Sequence, residues 1–471
     1  MRKGKVLASV LLAGVMAVSV CGCGSSGTTT TATTAAKAAV TNAVTKAAAT
    51  TQGKSATTAA AKASATSGAA AAAKKGGTVK VWISSGAEDD VYRSMFKDIE
   101  SKLSVTIDAQ YYSKDELDSK MQASGIAGDM PDILVADYLL LPNYCEAGYL
   151  APLDSYVKSD LKSDFLSSIV DESTVDGKMM SVAQFDGGMA MWGNKEMLDK
   201  AGVKYPTSYK DAWTKEQFED ALAKLKESGV KYPLYIRQNN PSTLYYTYFP
   251  IVHSFGGDYM DRKTKLTKDA LNSTETKAAF SYISELVKKG YVDATCNYDD
   301  SFNVKKENAL ALIGHWKYTD YKKGLGDDNL VLIPIPNFGK GVYTCSGSVV
   351  WAMTTSASKH GVADQAWSVM NEVVSSENIT KVVKVNGAIP ARKSVMDKIP
   401  EYQKGGKLYL YREQLEGGIS YLRPYTPAHM TIYTELKNLY GDVIGGADAS
   451  KLLDKAVENI DGVIKENNWN K

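Results

Sequence analysis

The stretch TVKVWISSGAEDDVYRSMFKDIESKLSVTIDAQYYSKDELDSKMQASGIAGDMPDILV, residues 78–135, carries the reading of the fold. Val79, Val81 and Ile83 alternate, which places them on one face of a strand, and Gly86 opens a turn. Val91, Met95, Phe96, Ile99 and Leu103 then recur at helical spacing. Val105 and Ile107 start a second strand, and Ser113 with Glu116 forms a capping box for a helix ending near Gly125. Asp132 to Val135 reads as a third strand. Strands alternating with helices predict an α/β fold with a parallel sheet covered on both faces. Ligands of such sheets bind beyond the carboxyl ends of the strands.

Downstream the rhythm continues. Thr214 and Gln217 cap a helix carrying Phe218, Leu222 and Leu225, which stops at Gly229. Another helix carries Phe280, Ile283, Leu286 and Val287 and ends at Gly290. Leu330 to Ile333 is a short apolar strand cut off by Pro334 and Pro336, and Leu452 to Ile464 is helical.

Upstream, residues 24–76 are almost entirely Thr, Ala, Ser, Gly and Lys, with no aromatic or acidic side chain. Such a segment cannot bury enough apolar surface to offset its ordering entropy, and it reads as a flexible tether. Before it, Arg2, Lys3 and Lys5 precede an apolar run from Val6 to Val20, the length of a signal-peptide core and short for a bilayer span. The run ends in Val20-Cys21-Gly22-Cys23. This resembles the bacterial lipoprotein signal, in which a small residue precedes the lipidated Cys. Gly22 makes Cys23 the better match, with signal peptide 1–22 and a lipid-anchored tether 23–76.

The 471 residues suffice for two cores, and 55 Lys plus Arg against 53 Asp plus Glu excludes the basic excess of a nucleic-acid binder. The 28 Tyr and 7 Trp against 9 Phe favour surfaces that join an apolar face to a hydrogen-bonding edge. Cys145, Cys296 and Cys345 are an odd number without metal spacing, and are expected to be buried and idle. No nucleophile elbow, phosphate loop, H-E-x-x-H or C-x-x-C occurs, and no cofactor is implied. A glycosidase can place its two carboxylates anywhere in a sequence, so hydrolysis stays open at this point.

From about Thr78 onward the order of segments resembles the extracellular solute-binding protein family 1, which is maltose-binding-protein-like. The stretch SGIAGDMPDILVADYLLLPNYCEAGYLAPLDSYV (124–157) is similar to the family's Pro-Asp strand, its following loop and its Ala-Gly-x-Leu-x-Pro-Leu helix end. DGKMMSVAQFDGGMAMWGNKEMLDKAGV (176–203) resembles the segment that crosses between lobes before an Asn-Lys helix start. Gly193, with Trp192 before it, stands where the family usually has Tyr. ENALALIGHWKYTDYK (307–322) resembles the Gly-Pro-Trp segment, with His315 replacing Pro. Residues 332–377 resemble the return strand, small-residue turn and following helix, and GAIPARKSV (387–395) the late Pro-x-Arg turn.

The resemblance implies a two-lobed periplasmic-binding-protein-like fold with three inter-lobe crossings and a central cleft. One lobe would be 77–185 with 332–374, the other 187–330 with 376–471. The crossings would fall near Phe185 to Gly188, Leu330 to Ile333 and Val374 to Glu377. It also implies a monomeric, extracytoplasmic lipoprotein at the outer face of the cytoplasmic membrane, which captures a carbohydrate for the permease subunits of an ABC importer. A glycan hydrolase, a sensory or adhesive lipoprotein of the same fold, and peptide or polyamine ligands are the alternatives.

A pyranose offers apolar C–H faces to aromatic rings and a rim of hydroxyls to carboxylates and amides. On this resemblance Trp316 is the sugar-stacking ring, Asp137 and Tyr138 lie on the loop that presents ligand groups, and Asp186 sits at the inter-lobe crossing. Tyr245 and Tyr246 open the cleft-lining helix. Ser84, Ser85 and Glu88 occupy the first strand-to-helix loop, and Ser348 the turn of the return strand. Trp192 and Trp351 are further aromatic candidates, with core packing as their competing role.

Overall fold

Thr78–Ser84 (β1), Thr106–Tyr112 (β2) and Ile133–Asp137 (β3) form a parallel core, with β1 paired to both neighbours. These strands belong to a computed structural model that describes residues 76–471. The signal-peptide, Cys23 and tether readings therefore lie outside the described residues. The helix Asp89–Leu103 packs Tyr92, Met95, Phe96 and Ile99 onto the sheet, and Ser104 in the left-handed region ends it. The Ser113–Glu116 capping box is present and starts the helix Lys114–Ala127, which Gly128 closes. Local chemistry thus sets each boundary.

Six further strands build the two main sheets: Ser181–Ala183 (β4), Met191–Asn194 (β5), Leu234–Tyr235 (β6), Leu310–Leu312 (β7), Leu330–Ile333 (β8) and Val349–Met353 (β9). The first sheet has the order β2-β1-β3-β9-β4, the second β8-β5-β7-β6. Neither is wholly parallel, contrary to the expectation from strand-helix alternation. Strand β9 runs antiparallel to both β3 and β4, and β5 antiparallel to both β7 and β8. The reason is topological: strands that arrive from the other lobe need no helical crossover and can enter in reverse.

The chain leaves the first sheet after β4 through Phe185–Asp186, which pair with Ile389–Pro390. Leu330–Ile333 was read as the second crossing, but it is strand β8, paired along the whole of β5. The passage back falls between Ile333 and Val349. Val374 and Ser375 join the helices Ala363–Val373 and Ser376–Asn386, so Val374–Glu377 spans that junction and the first turn of the second helix.

Two of the large aromatics expected as ligand candidates are core instead. Trp351, in central β9, is fully buried edge-on against Tyr92 and Phe96 at 5.4 and 6.0 Å. Trp192, in β5, stacks on Tyr318 at 5.7 Å, and its indole donates to the Gly314 carbonyl at 3.4 Å. Both sit mid-strand, where the side chain points straight into the packed helices. Among the described residues no helix is long and apolar enough to cross a membrane. Cys145, Cys296 and Cys345 are all free; Cys145 is partly exposed, where burial was expected, and the other two are buried.

Candidate functional site

The crossing residues Phe185, Asp186 and Gly187 alternate their directions, as extended chain must. The Phe185 ring meets His315 at 5.6 Å. Asp186 points the other way, accepting from Ser168 Oγ at 2.6 Å and from the Gly347 amide at 3.0 Å. At Gly187 a Cβ would lie 2.4 Å from the Gly347 carbonyl oxygen and 2.5 Å from Tyr246 Oη, so only glycine lets these segments touch. The crossing therefore separates two polar environments.

On the His315 side stand the aromatics. Trp316 is partly exposed on the short 3-10 turn His315–Lys317, 5.9 Å from the Tyr246 ring and 5.5 Å from His315. Its six-membered ring lies close against Gly314, where a Cβ would come within 1.9 Å of it. Burial lowers the His315 pKa to about 4, so its imidazole is neutral. Its Nδ1 contacts the Asn386 carbonyl at 3.0 Å and must donate, since a carbonyl only accepts; Nε2 is then the acceptor. Asn386 in turn donates to Glu88 at 2.7 Å, which ties the first strand-to-helix loop to this group. Burial raises the Glu88 pKa despite that bond. Beside Trp316, Lys317 and Arg237 converge on Asp299.

A second cluster gathers around Arg423, which sequence reasoning missed. Its guanidinium lies over the rings of Tyr138, Tyr245 and Tyr246 and 3.6 Å from Asp137 Oδ2. Burial would raise the Asp137 pKa, but Arg423, Lys114 and the Leu139 amide outweigh it and hold the carboxyl at about 2. Tyr138 stacks on Tyr425 at 5.8 Å, and Tyr245 on Tyr259 at 5.4 Å. Tyr246 donates to the Cys345 carbonyl at 3.1 Å. Ser348 donates to Glu172, a second missed residue. Glu172 is fully buried, and its pKa is pushed well above the carboxylate range by burial and by the Asp186 charge. Burial likewise raises Asp186, to about 6.

Asp137, Tyr138, Asp186, Tyr245, Tyr246, Trp316, Ser348 and Glu88 thus converge on the two sides of one crossing. Ser84 and Ser85 do not join them: Ser84 ends β1 and Ser85 is exposed, its amide bonded to the Tyr112 carbonyl. A cavity of about 390 Å³ opens on the Asp186 side, lined by Ser168, Asp171, Arg262, Ser346, Ser420 and Tyr421 among others. None of the ligand residues read from the sequence lines it. No local feature marks Glu172, and little marks Arg423. The one available signal was a cation set among aromatics in Tyr421-Leu422-Arg423-Pro424-Tyr425. Among the described residues no three His, Cys, Asp or Glu are grouped to hold a metal.

The sequence model of the family described as bacterial extracellular solute-binding protein matches residues 94–408. A maltotriose-binding protein of Pyrococcus abyssi is 22% identical over 393 residues, 82% of each chain. The GacH receptor of Streptomyces glaucescens, solved unliganded and with acarbose, superposes with a TM-score of 0.70 at 22% identity, covering 83% of this chain and 98% of that one. An ABC substrate-binding protein of Listeria monocytogenes, solved with cycloalternan, has a TM-score of 0.71 at 19% identity, with 83% and 100% covered. At these identities the likeness to the solved structures establishes the two-lobed fold.

Proposed function

Because this chain belongs to the bacterial extracellular solute-binding protein family, we propose that it captures a carbohydrate between its lobes and hands it to the permease of an ABC importer. In this reading Cys23 carries the lipid that holds it at the outer face of the cytoplasmic membrane. The protein binds without turning its ligand over.

The observation that carries the reading is the placement of Trp316. Its ring is partly exposed beside the crossing, with a neutral imidazole acceptor on one side and the Tyr246 ring on the other. Such a ring covers a sugar face while neighbouring polar groups take its hydroxyls. The relatives solved or named with maltotriose, acarbose or cycloalternan support an oligosaccharide as the ligand class. Binding between lobes favours the closed state through contacts that the open state cannot make.

A thermal-shift screen of mono- and oligosaccharides tests this, since a ligand at ~100 times its dissociation constant adds ~2.7 kcal/mol to native stability. With a hit in hand, Trp316→Ala should weaken binding at least tenfold, the effect of losing an aromatic anchor worth ~2 kcal/mol. Its melting temperature without ligand should change little. Unchanged affinity in the folded variant would refute the stacking role, and hydrolysis of the oligosaccharide would refute the binder.

A further inference from the structure

Arg423 occupies a socket built from both lobes. Asp137 and Tyr138 stand at the end of β3 in the first sheet. Tyr245 and Tyr246 lie on the helix Leu244–Thr247, between strands β6 and β7 of the second. The guanidinium carbon is 5.6, 5.1 and 4.6 Å from the ring centres of Tyr138, Tyr245 and Tyr246, within cation–π range of all three. Only 5% of the Arg423 side chain is exposed, and its Nε has no acceptor within the protein. Its backbone is anchored near the crossing. Ser420–Tyr421 pairs with Thr344–Cys345, and Arg262 donates to the Leu422 carbonyl at 3.0 Å.

A guanidinium withdrawn from water is strongly destabilising unless it is paired. Here the carboxylate, Asp137, and one of the three rings, Tyr138, come from the first lobe, while Arg423 and its other two rings belong to the second. We infer that Arg423 is an inter-lobe pin, a positioning residue that holds the lobes together before any ligand arrives. The inference uses the proposed function only for the idea that the lobes move about their crossings. It also reassigns four residues: Asp137, Tyr138, Tyr245 and Tyr246 serve the cation first, and Trp316 remains as the free sugar platform. Ligand affinity then depends on the pin, because a binding-competent state that is partly populated scales the apparent dissociation constant by its fraction. Other links span the same gap, among them the Tyr138–Tyr425 stack at 5.8 Å, Lys114 over the Tyr433 ring at 4.4 Å and Lys437 with Asp115 at 3.4 Å. The Lys437–Asp115 pair is largely exposed, and such pairs contribute little.

The test needs no sugar. Spin labels introduced as noncanonical residues at Ile126 and Val304, both exposed and on different lobes, report the inter-lobe distance by pulsed electron paramagnetic resonance. The unsubstituted protein should give one narrow distribution. Arg423→Gln and Asp137→Asn should shift and broaden it, with far-ultraviolet circular dichroism unchanged, and Arg423→Lys should fall between. Folded variants with the unsubstituted distribution would overturn the pin. So would failure of Asp137→Asn to fold, because a pin between lobes that own their cores is dispensable to each core. Absence of any sugar hit would sink the carbohydrate reading and leave these distances as they are.

Discussion

Asp186 has almost no water in which to ionise. Its partners include the Ser168 and Ser346 hydroxyls and the Gly347 and Gly187 amides, and burial still raises its pKa to about 6. The native state therefore holds its proton more tightly than the unfolded chain. Stability from this group is complete below the unfolded pKa of 3.8 and is lost as pH rises through about 6. Glu172, its pKa also raised by burial, adds to the loss in the same direction. Asp186→Asn keeps the shape, accepts from the Gly347 amide through its one carbonyl oxygen and donates to Ser168 Oγ through its amide nitrogen, but cannot ionise. Its melting temperature should fall less than that of the unsubstituted protein between pH 4 and pH 7, and equal slopes in a pH series of melting curves would rule out this account. Asp186 was legible because Gly187 and Gly188 flag a crossing beside it. Arg423 and Glu172 were not, since the partners that give each its role lie 286 and 176 positions away along the chain, at Asp137 and Ser348. Trp192 and Trp351 show the opposite failure. An aromatic in a strand pattern carries no mark of whether its face meets solvent or a helix.

The crossing is the element where local sequence and global motion meet. Gly187 runs against the Gly347 carbonyl with no room for a methyl group, and the Gly187 amide donates to that oxygen at 3.1 Å. Gly187→Ala should push the two passing segments apart. The expected cost is about 1–3 kcal/mol of overpacking, read as a lower melting temperature, with weaker affinity for any sugar hit. An unchanged melting curve would mean that the segments do not press on each other. Elements with local signals were read well: the helix Asp89–Leu103, both capping boxes and strand β1 all formed where periodicity and caps placed them. Leu330–Ile333 was correctly a strand but wrongly a crossing, because an apolar run names a strand without naming its sheet. The antiparallel entry of β9 was invisible for the same reason. Its partners, β3 and β4, are far away in the chain.

At the scale of the whole molecule, the proposed anchor makes one prediction. Cys23→Ala should release the protein from the membrane or leave its signal uncleaved, since stable anchoring takes at least two acyl chains on that residue. Fractionation that finds the variant membrane-bound with its signal removed would show that another feature anchors it. The position of β9 bears on how such a chain comes into being. Val349–Met353 sits between β3 and β4, so the first sheet is split until that strand arrives. Roughly 170 residues separate β4 from β9, which at ~5–20 residues per second is about 10–30 s of synthesis. Throughout that interval the second sheet can be completed while the first waits with two open edges. The first sheet is therefore the later of the two to close, and its completion waits on the return strand although most of its strands are made first.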